Sequence, residues 1–122
     1  MPFKVIVTRD FDQMSEQAAE IVIGSIQAGL REKDRFILGL ATGNSPTGLY
    51  KHLAKACNDG TVDAGRIRSF NLDEYIGLPG ENAQQRALHP KSYSFFMIQE
   101  LFGLLKKGSS GKCRDEWLWC VK

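Results

Sequence analysis

An almost wholly apolar segment, residues 36–41 (FILGLA), constrains the fold of this chain more than any other feature. Six residues are too few for a buried helix, and a short apolar run is typical of a strand that is covered on both faces. Such strands belong to parallel sheets, which need long crossover connections between neighbouring strands. The segment therefore predicts an α/β protein with a buried sheet.

Strand and helix patterns alternate around this segment. Residues 3–8 (FKVIVT) alternate apolar and polar side chains and are rich in β-branched types, so they predict a strand. Ser15 is the expected N-cap of a helix that ends at the charged residues 31–35. The apolar positions of this helix recur with a spacing that places them on one face: Ala19, Val22, Ile23, Ile26 and Leu30.

The remaining elements continue the alternation. A second helix is expected to begin at Pro46, with Ser45 as its N-cap, and residues 67–72 predict a third strand. Residues 81–91 are expected to form a loop, after which Ser92 caps a third helix. The order β-α-β-α-β-loop-α predicts an α/β fold with right-handed crossovers and helices on both sheet faces.

Two polar clusters follow strands of this predicted sheet, at the edge where ligands of such folds bind. The first is Thr42-Gly43-Asn44-Ser45, a glycine-containing turn that leads into a helix. Backbone N–H groups at a helix start have no helical acceptor and favour an anion, to which Thr42 and Ser45 add hydroxyl donors. An ordinary capped helix start explains the same residues, and both interpretations stay open.

The second cluster, residues 71–75 (NLDEY), places Asp73 and Glu74 where the third strand ends. A carboxylate shielded there is suited to act as a general base, because partial burial favours its neutral form. A loop acid that accepts hydrogen bonds from backbone N–H groups is the simpler alternative. The residues alone do not decide between the two.

Composition excludes several classes of protein. The 122 residues permit one domain of common size, and 16 Lys and Arg against 14 Asp and Glu leave a charge of +2, too small to indicate nucleic-acid binding. No segment approaches the ~20 apolar residues of a membrane span, and charge occurs too early for a signal peptide. Three cysteines do not suggest a disulfide framework. We therefore expect a cytoplasmic protein without a membrane or nucleic-acid partner.

Residues 106–122 differ in composition from the rest of the chain. They contain both tryptophans, two of the three cysteines, five basic residues and two acidic ones, whereas residues 1–105 contain eleven basic and twelve acidic residues. Cys113 and Cys120 lack CxxC spacing and nearby histidines, so no metal site is expected. We interpret residues 106–122 as a divergent, flexible tail and residues 1–105 as the folded part.

Three segments together resemble the glucosamine-6-phosphate deaminase family: residues 38–53 (LGLATGNSPTGLYKHL), 69–79 (SFNLDEYIGLP) and 89–97 (HPKSYSFFM). The similarity extends from the first strand to about Leu105, and the motifs stand in the family's order and separation. The resemblance implies a Rossmann-like three-layer α/β sandwich with a mainly parallel sheet, present here as an incomplete N-terminal portion.

The activity that the resemblance implies converts glucosamine 6-phosphate and water into fructose 6-phosphate and ammonia, a hydrolysis at a C–N bond that proceeds with aldose–ketose isomerisation. Asp73 matches the family's general base, which moves a proton between the first two sugar carbons. Thr42, Gly43, Asn44 and Ser45 match the loop that holds the sugar phosphate. The implied partner is a sugar phosphate, no cofactor is needed, and a homo-oligomer stays open.

Family members are longer, and the histidine motif and basic residues of their second half do not occur in this sequence. We therefore expect an N-terminal fragment with little or no activity alone, whose tail arises from truncation or a changed reading frame. Two alternatives are a 6-phosphogluconolactonase-like sugar-phosphate enzyme, against which the NLDEY segment argues, and a non-catalytic interaction or regulatory fragment.

Overall fold

A computed structural model describes residues 2–106. The elements lie in the order α1 (Phe11–Glu32), β1 (Phe36–Leu40), α2 (Thr47–Asn58), β2 (Ile67–Asn71), α3 (Ala83–Ala87) and α4 (Tyr93–Glu100). Single 3-10 turns occupy Ala64–Arg66 and Phe102–Leu104. The predicted tail, residues 106–122, lies outside the described residues apart from Lys106.

The two strands pair in parallel, in a register that runs from Phe36 opposite Ile67 to Leu40 opposite Asn71. Helix α2 forms the crossover between them, as a parallel pair requires. The pairing continues one residue further, because the N–H of Leu72 donates to the carbonyl of Leu40 at 3.1 Å. The predicted α/β class is confirmed, and both strands end at the same edge of the sheet.

The strand predicted over residues 3–8 is wrong for the described part of the chain. These residues have no strand assignment, and the side chains of Phe3 and Val7 are 87% and 89% exposed. Strand propensity describes a side chain's fit to a paired, half-buried surface, so an alternating sequence forms a strand only where a neighbour is present. Neither β1 nor β2 pairs with this segment.

The two predicted helix starts shift by a few residues. Helix α1 begins at Phe11, capped by Asp10, whose carboxylate accepts the N–H of Gln13 at 2.8 Å, whereas Ser15 lies buried inside the helix. Helix α2 begins at Thr47, and its N-cap residue Pro46 makes no side-chain capping bond. Asp and Ser are similarly good N-caps, so residue type alone does not select between them.

The later part of the chain matches the prediction more closely. Ser92 caps α4, accepting the N–H of Phe95 at 2.9 Å. The predicted loop at residues 81–91 contains the short helix α3, capped by Asn82. His52 on α2 is exposed, and Cys57 on the same helix is buried in the core.

The core lies on one side of the sheet. Helices α1, α2 and α4 and the second 3-10 turn contribute to a cluster of buried side chains that includes Ile26, Leu40, Leu53, Ile67, Met97 and Leu101. The alternate residues of β1 lie on the opposite face of the sheet, and one of them, Ile37, is 70% exposed. Within residues 2–106, the helices therefore contribute to a core on one face of the sheet. Over the same residues, no helix has the length and apolarity needed to cross a membrane.

Candidate functional site

The turn between β1 and α2 contains the first predicted cluster, residues 42–45. Gly43 has φ of 102°, a conformation that side chains with a Cβ adopt only with strain, so glycine is suited to this turn. Thr42 is half-buried, whereas Gly43, Asn44 and Ser45 are exposed. The turn therefore presents small polar groups and backbone to the solvent.

Helix α2 starts without a side-chain cap. The Oγ1 of Thr47 donates to the carbonyl of Asn44 at 2.8 Å, which closes the turn, but the first-turn N–H groups of Gly48 and Leu49 have no acceptor within residues 2–106. Unsatisfied N–H groups and the helix dipole together favour an anion at this position. Ser45, the expected N-cap, accepts no hydrogen bond from these N–H groups.

Tyr50 holds the end of β1 against α2. Its hydroxyl donates to the carbonyl of Ala41 and accepts the N–H of the same residue at 3.1 Å, while the side chain is only 3% exposed. Burial raises the pKa of Tyr50, and the hydrogen bond to Ala41 offsets part of this rise. The sequence did not indicate this polar contact, because a tyrosine gives no sign of which group its hydroxyl will bond.

The second cluster follows β2 directly. Asn71, the last residue of β2, is buried, and its amide donates to the Oγ of Ser94 at 3.4 Å. Asp73, two residues further, is exposed. The shielding that we expected for this carboxylate is therefore not supplied by residues 2–106.

Glu74 anchors the cluster to α4. One carboxylate oxygen accepts the N–H groups of Tyr75 and Tyr93, both at 2.9 Å, and the other accepts the N–H and the hydroxyl of Ser94, both at 3.1 Å. Burial raises the pKa of Glu74, but these four hydrogen bonds outweigh it and hold the pKa below its usual value. Glu74 therefore matches the simpler alternative considered for this cluster, a loop acid that accepts hydrogen bonds from backbone N–H groups.

An aromatic pair lies beside the two acids. The rings of Tyr75 and Tyr93 have centroids 4.6 Å apart and planes inclined by 39°. A hydrogen bond with Tyr75, burial, and the charges of Asp73 and Glu74 raise the pKa of Tyr93 to about 12. The Tyr93 hydroxyl therefore stays protonated beside the acids and remains a hydrogen-bond donor.

The structure brings the two predicted clusters to one edge of the sheet. Leu40 and Asn71 are the last paired residues of the two strands. Thr42 lies two residues after Leu40, and Asp73 lies two residues after Asn71. Sequence reasoning missed the contact between Glu74 and α4, although Ser92 as a predicted N-cap already indicated a helix start that favours an acid. The arrangement suits an anionic ligand beside a carboxylate.

Comparisons with known proteins find close relatives over most of this chain. It is 43% identical over 99 residues to the glucosamine-6-phosphate deaminase of Thermoanaerobacter sp. (strain X514), and 44% identical over 99 residues to that of Clostridioides difficile (strain 630). Each match covers 81% of this chain and 35% of the relative. The chain therefore spans about a third of the length of these relatives. No protein-family model matches the chain.

A solved structure supports the same relationship. It is described as "Structure and kinetics of a monomeric glucosamine-6-phosphate deaminase: missing link of the NagB superfamily", and the match has a TM-score of 0.69 at 32% sequence identity. It covers 84% of this chain and 38% of the solved chain. Sequence and fold therefore agree on one group of proteins.

Proposed function

Because the chain is related to the N-terminal part of the glucosamine-6-phosphate deaminases, we propose that it carries two groups of a deaminase site, the phosphate-binding loop and the general base. The observation that supports this proposal most directly is the parallel pairing of β1 and β2. It places residues 42–45 and Asp73 at one edge of the sheet, and the bond from Leu72 to Leu40 holds the two chain segments together there.

The proposed phosphate loop consists of Thr42, Gly43, Asn44 and Ser45. Gly43 allows the turn, and the unsatisfied N–H groups at the start of α2 together with the two hydroxyl groups supply hydrogen-bond donors. A phosphate dianion accepts several such bonds and is attracted by the positive end of the helix dipole. These residues bind and orient the sugar through its phosphate.

The proposed general base is Asp73. In an aldose–ketose isomerisation, a base removes the proton on C2 of the open-chain sugar and returns a proton to C1. A carboxylate performs both transfers when the substrate carbons lie within hydrogen-bond reach of it. The charge of Asp73 is among the causes that raise the pKa of Tyr93 to about 12, so the Tyr93 hydroxyl stays protonated at neutral pH.

We expect little activity from the 122-residue chain alone. Asp73 is exposed to water, and the loop offers hydrogen-bond donors without a lysine or arginine among residues 42–45. Catalysis relies on a closed site whose groups stabilise charge in the transition state, and an open half-site lacks most of that stabilisation. Weak binding without turnover is the expected behaviour.

Binding and turnover are measured separately to test this proposal. In NMR spectra of the ¹⁵N-labelled chain, glucosamine 6-phosphate should shift the amide signals of the non-proline residues between 43 and 49, whereas glucosamine without phosphate should not. Ser45→Ala should weaken the response, and Ser25→Ala, which removes a hydroxyl from an exposed site on α1, is the matched control. Absence of any response at residues 43–49 would contradict the phosphate-loop proposal.

The assay for ammonia release tests the base. Release by the wild-type chain should stay close to that of buffer. Robust turnover that disappears in Asp73→Asn would overturn the expectation of low activity and support the role of Asp73. Robust turnover that persists in Asp73→Asn would contradict the assignment of the base.

A further inference from the structure

A cavity of about 390 Å³ lies between α2 and residues 104–106. Cavities of this size are within the range that binds small molecules. Its lining includes three lysines, Lys51 and Lys55 from α2 and Lys106 from the opposite side. We call this cavity the lysine cleft. It lies along the side of α2, whereas the proposed phosphate loop precedes the first residue of that helix.

Two of the lysines repel each other. Lys51 and Lys55 are four residues apart on α2, so their side chains lie on one face of the helix, about one turn from each other. Like charges at this spacing destabilise a helix. An anion that contacts both ammonium groups removes the repulsion, so the pair favours a negatively charged ligand.

Asn58 holds the opposite wall of the cleft in place. Its Nδ2 donates to the carbonyl of Leu104 at 3.0 Å, and its Oδ1 accepts the N–H of Lys106 at 2.8 Å. Both ends of this side-chain amide therefore fix residues 104–106 against α2. The backbone of the third lysine is thus positioned across the cleft from the other two.

The negative groups beside the cleft already have partners. Oδ1 of Asp59 accepts the hydroxyl of Thr61 at 2.6 Å and the N–H of the same residue at 3.0 Å. These bonds and the charge of Lys55 hold the pKa of Asp59 below its usual value, so it stays ionised at neutral pH. Three ammonium groups against this one carboxylate leave the lining with a net charge of +2. Carbonyl groups of the last turn of α2 also accept backbone N–H groups.

The positive charge of the cleft is a local feature. Residues 1–105 contain eleven basic and twelve acidic residues, so a generally basic composition does not explain it. A cleft lined by one sign of charge concentrates ligands of the opposite sign. Part of the lining is apolar, because Ala54 is buried there and Leu104 is 41% exposed.

We propose that the lysine cleft binds an anion with two linked phosphate groups, either inorganic pyrophosphate or the diphosphate of a nucleoside diphosphate. Three ammonium groups around one cavity offer more hydrogen-bond donors than a single phosphate group uses. Linked phosphate groups carry more charge over a longer span and contact more of these donors. The site is separate from residues 42–45 and does not depend on the proposed deaminase function.

NMR titration of the ¹⁵N-labelled 122-residue chain tests the proposal. Inorganic pyrophosphate, added at constant ionic strength without divalent cations, should shift the amide signals of residues 51–59 and 104–106. Its Kd should be at least about tenfold lower than that of orthophosphate, because it makes more charge-assisted hydrogen bonds. Adenosine diphosphate distinguishes the two sources. Binding as tight as that of pyrophosphate assigns the cleft to a nucleoside diphosphate, and binding of pyrophosphate alone assigns it to the inorganic ion.

Neutral substitutions locate the ligand. Lys51→Gln combined with Lys55→Gln should raise the Kd for pyrophosphate at least about tenfold, since two charged donors are lost. Lys4→Gln combined with Lys33→Gln removes the same charge from exposed positions outside the lining and is the matched control. The control should change the Kd by less than about twofold, because salt screens distant charges. Circular dichroism of each variant confirms that the fold is intact.

Ser45→Ala separates this site from the proposed phosphate loop and should leave the response of residues 51–59 to pyrophosphate unchanged. A response that disappears in this variant would assign the binding to the loop and overturn the proposal. The proposal is equally overturned by the absence of any shift at residues 51–59 and 104–106, by equal affinities of the lysine double variant and the wild type, or by equal affinities for orthophosphate and pyrophosphate.

Discussion

Gly48 shows how a single residue controls the position of the candidate site. A Cβ atom added at Gly48 would lie 2.6 Å from the Cβ of Ser15 and 3.0 Å from a ring carbon of Phe11, so α1 and α2 approach each other as closely as a glycine permits. Ser15 is 2% exposed, and its hydroxyl has no hydrogen-bond partner among the described residues. Gly48 also lies in the first turn of α2, directly after the phosphate-loop candidate.

Gly48→Ala should destabilise the protein by about 1–3 kcal/mol, because the added methyl group forces the two helices apart. Urea unfolding monitored by circular dichroism measures the change. Gly24→Ala is the matched control: a Cβ at Gly24 meets nothing within 4 Å, so alanine in this helix should stabilise by about 0.5–1 kcal/mol. Equal effects of the two substitutions would refute the close-packing argument.

At the scale of elements, Arg66 connects the end of α1 to the segment that precedes β2. Its Nη2 donates to the carbonyls of Leu30 at 2.8 Å and Lys33 at 2.9 Å, and its Nε donates to the carbonyl of Asp34 at 3.0 Å. These carbonyls lie at the C-terminal end of α1 and just beyond it, where carbonyl groups have no N–H donor within the helix. A cation there also interacts favourably with the helix dipole.

Arg66→Ala should lower the free energy of unfolding by about 1–3 kcal/mol, since three carbonyl groups lose a charged donor. Arg66→Lys should recover only part of this loss, because one ammonium group cannot reproduce the fork of the guanidinium. Arg35→Ala, at an exposed position in the same connection, is the control and should change stability by less than about 0.5 kcal/mol. A full rescue by lysine in urea unfolding would count against the forked geometry.

At the scale of the whole molecule, Glu74 joins the sheet edge to the second half of the described chain through four hydrogen bonds to Tyr75, Tyr93 and Ser94. The pKa of Glu74 in the folded state lies below its usual value of 4.5. Its contribution to stability is therefore fully present above that usual value and is lost as the pH falls through the lowered pKa of the folded state.

Stability measured by urea unfolding should therefore fall as the pH is lowered from about 6 to about 3. Glu74→Gln should be less stable at about pH 6 and should approach the wild type at the acidic end, because the protonated carboxyl group and the amide accept hydrogen bonds less strongly than the carboxylate. Glu20→Gln removes the same charge from an exposed position on α1 and should keep the wild-type profile. A constant difference between Glu74→Gln and wild type across this range would contradict the assigned role.

Local patterns predicted much of the fold and of the site. They failed where the outcome depends on which distant segments of the chain contact each other. Residues 36–41 and 67–72 were predicted as strands within one or two residues of β1 and β2, because apolar runs bounded by polar turns are local signals. Residues 3–8 carry an equally good strand pattern but pair with neither β1 nor β2. The exposure of Asp73 and the four hydrogen bonds of Glu74 depend on which segments meet, and a pattern of spacing does not report that.

The sequence by itself determined the α/β alternation, the glycine turn before α2 and the acids after β2, because these follow from side-chain periodicity and from backbone limits at single residues. The tertiary structure decided that Glu74 accepts hydrogen bonds from the start of α4, that Tyr50 is hydrogen-bonded to Ala41, and that within residues 2–106 Ile37 on one face of the sheet is largely exposed. The physical reason is that hydrogen bonds and burial between distant residues depend on their relative positions in space, and these are set only when the elements pack together.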